Sequence, residues 1–98
     1  LNYGDLQVMS KTEDILRDAM VCTAESRNKT HGDKIKNHCN IAELWSWWLK
    51  KEISAHDVAM MMSLLKIARM KTGSLNKDDF VDGSAYIAIA GELALDNE

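Results

Sequence analysis

A chain of 98 residues sits at the low end of the single-domain range, and one this short buries only a modest share of its surface on folding. Hydrophobic residues at 46% and charged residues at 28% exclude a disordered composition, and a formal net charge of −3 excludes the basic surface of a general or sequence-specific nucleic-acid binder. No apolar run reaches the roughly 18 to 20 residues that cross a bilayer, so no membrane association is expected and the expected location is the cytoplasm.

The sequence contains no proline and no alternating Val/Ile/Thr run, which leaves helices as the expected structure throughout. Residues 1–9 read as a flexible N-terminal extension, with Met9-Ser10-Lys11 resembling a native start, and residues 10–96 as a single helical domain. Ser10-Lys11-Thr12-Glu13 has the spacing of a capping box, in which the serine hydroxyl and glutamate carboxylate satisfy orphan backbone N–H groups. Ile15, Leu16, Ala19, Met20 and Thr23 follow at helical spacing and predict a first helix ending near Ser26.

Residues 26–38 are polar, carry Gly32 and tilt basic, and so predict a loop longer than most helix connections. A second helix is expected from about Asn37 or Asn40 to Lys50, with Ile41, Leu44, Trp45, Trp48 and Leu49 as its buried stripe and Trp47 off it. Ser54 and Asp57 again stand at capping spacing, opening a third helix through about Lys71, with Gly73 as a left-handed stop. Its apolar residues run nearly all round, from Val58 through Ala68, which predicts the central helix. A fourth helix is expected from Lys77 or Asp78 to about Leu95, its small residues permitting close approach of a neighbour. The fold class is all-α, a four-helix bundle-like domain. Trp47 outside its stripe and the glycines of the last helix predict a homo-oligomer, a dimer first. Cys22 and Cys39 lack metal-site spacing and read as buried reduced thiols.

The candidate chemistry centres on the fourth helix. Asp78 fits the helix start, where an acid stabilises the dipole by about 0.3 to 1 kcal/mol. Asp79 and Asp82 lie three apart on one face, a spacing at which two carboxylates can hold Mg²⁺. Asp82 also aligns with Tyr86 and Ile89, and a carboxylate among apolar positions needs a partner or a metal. Lys66 and Arg69 share a face of the third helix, where they bind a phosphate or pair with Asp82 and Asp79. Asp57 is a cap or a further carboxylate facing the fourth helix, and His31, Asp33 and Asn37 are the polar groups of the long loop. No glycine-rich nucleotide fingerprint and no nucleophile motif occurs.

The order His31-Gly32-Asp33, Asn37, Ile41-Ala42-Glu43-Leu44-Trp45, Asp57-Val58-Ala59-Met60-Met61, Leu64-Leu65-Lys66-Ile67-Ala68-Arg69, then Asp78-Asp79, Val81-Asp82 and Ala85-Tyr86 resembles a small uncharacterised bacteriophage and prophage family. The resemblance covers about residues 11 to 95, with Gly83-Ser84-Ala85-Tyr86 where that family usually sets a glycine directly before the tyrosine. In helix order this family is similar to the all-α nucleotide pyrophosphohydrolases of the MazG and dimeric dUTPase type. That similarity implies a MazG-like arrangement in the host cytoplasm, a nucleotide ligand and Mg²⁺. It implies Asp57, Asp79 and Asp82 as catalytic metal ligands, Lys66 and Arg69 on the phosphates, and His31, Asp33, Asn37 and Tyr86 on base or sugar. The ExxE pair of those enzymes has no counterpart, because Met60 stands three residues after Asp57. The alternative is therefore a non-catalytic oligomeric accessory protein that binds a nucleotide or a host protein.

Overall fold

The computed structural model describes residues 9–24 and 33–96. The expected extension before Met9, and the loop from residue 25 to 32 with His31, lie outside the described residues. Within them the chain forms four helices and is all-α.

Local chemistry sets where each helix starts. In α1 (Lys11–Thr23) the Glu13 N–H donates to Ser10 Oγ at 3.1 Å and the Glu13 carboxylate turns back to the Ser10 N–H, which completes the expected capping box. The helix stops at Thr23, short of Ser26, where Ala24 turns extended. The next helix, α2 (Lys34–Leu49), begins earlier than the sequence suggests, because Asp33 acts as its N-cap and accepts from the N–H groups of Ile35 at 2.8 Å and Lys36 at 3.3 Å. Asp33 thereby converts the tail of the expected loop into a helical turn, and Asn37 stands on the helix.

Lys50 ends α2 in the left-handed region at φ 56°, the one such non-glycine residue described. Ser46 then clamps the turn, accepting from the Ile53 N–H at 2.8 Å and donating to the Ile53 carbonyl at 3.1 Å. The third helix, α3 (Ala55–Thr72), carries the expected Ser54 and Asp57 capping box. Gly73 closes it in an extended conformation, φ −134° and ψ −165°, instead of the left-handed stop expected from its position. Asn76 caps α4 (Lys77–Leu95) by accepting from the Asp78 N–H at 2.8 Å.

Packing is centred on α4, and not on α3 as its apolar composition suggests. The partners of α3 and α4 run in opposite order: Ser63 meets Gly83, Lys66 meets Asp82, and Arg69 meets Asp79. The two helices are therefore antiparallel. Ala59 of α3 packs with Ile89, Ala90 and Leu93 of α4, under Ile35, Ala55 and Tyr86. On another strip of α4, Val81 and Ala85 meet Ala19 of α1, with Ile15 and Cys22 against them. Lys77 ties the same two helices, its Nζ lying 2.7 Å from Asp14 and 2.8 Å from Asp18. The smaller share of contacts belongs to α2, which rests mainly on α3.

The apolar stripe of α2 departs most from expectation. Only Ala42 and His38 of this helix are buried, while Leu44, Trp48 and Leu49 face outward. The cause is the small contact α2 makes: a helix resting on one neighbour covers a narrow strip, so a wide apolar face is left bare. Cys39 is exposed and Cys22 half-buried, and both are free thiols.

Two outcomes follow from this packing. A Cβ at Gly83 would stand 3.6 Å from Lys66 Cβ, an ordinary contact. Gly83→Ala should therefore gain about 1 kcal/mol of helix propensity in urea denaturation, whereas Gly83→Leu should lose stability by forcing α3 and α4 apart. The Asp57 carboxyl is held below its ordinary value of 3.8, chiefly by the Ser54 backbone N–H and then by the Ser54 hydroxyl. Its contribution is present above pH 3.8 and is lost as pH falls through the lowered value. The gap in Tm between wild type and Asp57→Ala should be open at pH 7 and close on acidification below 3.8.

Candidate functional site

The fourth helix places Asp79 and Asp82 toward α3, as their shared face requires. Asp79 is 4% exposed and meets Arg69 Nε at 3.3 Å. Asp82, half-buried, meets Lys66 Nζ at 3.1 Å. A third bond joins the same seam, the Ser63 hydroxyl donating to the Gly83 carbonyl at 3.1 Å. Of the two roles open to Lys66 and Arg69, pairing with Asp82 and Asp79 is the one observed. A carboxylate taken from water at a helix interface needs such a partner, since an unpaired one costs several kcal/mol.

Asp57 is not brought to this seam. It closes the cap of α3, accepting from the Ser54 N–H at 2.9 Å, and it is exposed. Nine residues separate it from Lys66 along α3, which is about 14 Å at 1.5 Å per residue, and Arg69 lies a turn further. A shared Mg²⁺ would need its ligand oxygens within about 5 Å of one point. Among the described residues no group of three or more His, Cys, Asp or Glu stands where it could hold a metal ion.

The remaining candidates are dispersed. Asp33 is engaged as the cap of α2, and Asn37 is exposed one turn further on. Tyr86 is half-buried and packs on the cluster of Ala59 and Ile89, with its ring centroid 5.9 Å from that of His38. His38 is a residue that zinc-spacing arguments pass over. It is buried, its Nδ1 lies 2.7 Å from the Lys34 carbonyl, and its Nε2 has no hydrogen-bond partner. A ring nitrogen facing a carbonyl donates, so Nδ1 carries a proton. Its position one helical turn from Ile35 and Ala42 is the sequence signal for its burial.

The outward side of α2 carries a different kind of feature. Trp47 and Trp48 are 65% and 73% exposed, with centroids 6.2 Å apart, and Leu44 lies one turn before them on the same side. Lys50 Nζ sits 5.0 Å from the Trp47 ring centroid, a cation–π contact. These side chains form an exposed apolar patch.

None of the described helices is long and apolar enough to cross a membrane. Comparison with known proteins agrees with the phage resemblance. The Gene 55 protein of Mycobacterium phage D29 is 43% identical over 75 residues, 76% of this chain and 50% of that protein. The Gene 55 protein of Mycobacterium phage L5 is 31% identical over 91 residues, 92% of this chain and 54% of that protein. The chain thus spans about half the length of these curated relatives. No solved structure matches it. Residues 14–94 match the family described as Domain of unknown function (DUF6378), and the chain belongs to that family.

Proposed function

We propose that this chain is a non-catalytic accessory protein of phage type that works through its contact surfaces. The observation that supports this reading is the seam between α3 and α4. Asp79 and Asp82 already have cationic partners in Arg69 and Lys66, so a metal would have to displace a positive side chain from each. Metal-assisted attack on a phosphoanhydride needs several carboxylates around one or two ions, and Asp57 is a helix cap at a distance. The exposed Trp47, Trp48, Leu44 and Leu49 supply the apolar contact area that a binding protein needs. The lysines at 34, 36, 50 and 51 on and after the same helix favour a partner protein with an acidic rim.

The competing reading is Mg²⁺-dependent hydrolysis of a nucleoside triphosphate on Asp57, Asp79 and Asp82. Thermal shift with a panel of NTPs and dNTPs, with and without Mg²⁺, and release of pyrophosphate separate the two. No metal-dependent shift and no pyrophosphate are expected. Turnover that disappears in Asp82→Asn, with helicity kept by circular dichroism, would overturn the non-catalytic reading. Trp48→Ala should change stability by less than about 0.5 kcal/mol in urea denaturation, because the ring contributes little to the core. A loss above about 2 kcal/mol would place that ring in the fold instead of in a contact surface.

A further inference from the structure

Among the described residues the buried apolar set is small in volume: four alanines in its α1, α2 and α4 positions and one in α3, with Val58, Val81, Ile89 and Leu93 as its larger members. Sixteen large apolar side chains remain well exposed. A domain of this size has little core to lose, so leaving these side chains in water works against its stability. The exposure is concentrated in part over an apolar groove of about 440 Å³ between α1, α3 and α4, on which α2 does not lie.

The groove is walled by Leu16 of α1 and by Ser63 and Ile67 of α3, and its floor is the face of α4 that carries Gly83, Ser84, Ile87 and Ala88. No charged residue lines it. Met20 continues the α1 wall one turn on, and Leu64 continues the α3 wall one turn back. We propose that a second copy of this chain occupies the groove, as a two-fold dimer in which the walls of each copy meet the floor of the other.

Three observations favour a second copy over another partner. The first is shape. One surface sets large side chains, Leu16, Ile67 and Ile87, beside small ones, Gly83, Ser84 and Ala88, and a two-fold interface is the arrangement in which one patch must fit itself. The second is charge, since each copy carries −3 and a self-association surface must keep like charges apart, which an uncharged groove does.

The third is area. Leu16 at 57%, Met20 at 66%, Leu64 at 59%, Ile67 at 49% and Ile87 at 50% exposure offer about 500 Å² per copy, at about 180 Å² for a fully exposed large side chain. That lies at the upper end of what monomers leave bare, and two copies bring about 1,000 Å² together before the floor and backbone are counted. A patch needed for stability also requires a partner that is always present in equal number, and the chain itself meets that condition.

The dimer deepens the contact-surface reading and rests on it, and it fails separately. A monomer that ignores nucleotides overturns the dimer alone, whereas metal-dependent turnover overturns the non-catalytic reading and leaves the dimer standing. The experiment is light scattering coupled to size exclusion on the full chain, with sedimentation equilibrium for the dissociation constant. Wild type is expected at twice the 11.0 kDa chain mass. Ile87→Asp and, on a different helix, Ile67→Asp should each weaken the dimer about a hundredfold, with helicity unchanged by circular dichroism. Leu44→Asp, on the outward side of α2, should leave the mass unchanged. A monomeric wild type overturns the proposal, as does a dimer that survives both groove variants or is lost in Leu44→Asp.

Discussion

The close approach of α3 and α4 is the contact on which the rest of the structure depends. Ala59 and Ser63 on one helix meet Ala90 and Gly83 on the other, and small side chains at these positions let the two backbones come near enough for a side chain to reach a main-chain carbonyl. The short link through residues 73–76 makes the pair an antiparallel hairpin of helices. Once that pair is set, α4 has strips left over for α1 and for the start of α2. Neither of those helices has an equally broad partner of its own.

The same approach determines what the acidic residues of α4 do. Asp79 is buried in the interface and Asp82 is partly open to water, and Arg69 and Lys66 stand opposite them in antiparallel register. Long basic side chains can cover the seam with their methylene stems and still deliver charge to a carboxylate. The result is a polar seam that runs from Ser63 and Gly83 through Lys66 and Asp82 to Arg69 and Asp79, and it favours one register of the two helices. A pair of carboxylates at metal-binding spacing thus acts as a brace. Lys77 does the equivalent at the start of α4, where Asp14 and Asp18 hold a cation and raise its pKa above the ordinary lysine value.

Narrow packing has a cost at the surface. A core built mostly from alanine and valine brings helices close but covers little, and leucine, methionine and tryptophan side chains are left outside, two groups of them on distinct faces. One face is the groove over α4, lined without charge, and the other is the outward side of α2, with basic residues near its ends. His38 sits beneath the α2 face with an unsatisfied ring nitrogen, a polar group that an apolar core would ordinarily exclude.

The sequence by itself determined the class and the local boundaries. Ser10 with Glu13, Ser54 with Asp57, and Asn76 ahead of an acidic turn specify helix starts through hydrogen bonds that reach only three residues, so no tertiary information is needed to read them. Asp33 is the same signal, hidden because it lies inside a polar run that reads as loop. The pairing of Lys66 and Arg69 with Asp82 and Asp79 was one of two roles legible from spacing, and only the register of α3 against α4 chose between them. The distance of Asp57 from the seam follows from its nine-residue separation from Lys66 on one helix, once the register sets Asp82 beside Lys66. The tertiary structure alone decided which apolar stripes are core. Periodicity marks a face that avoids water but does not say whether a neighbouring helix, a second chain or nothing covers it, and on α2 and over α4 none of the described helices does.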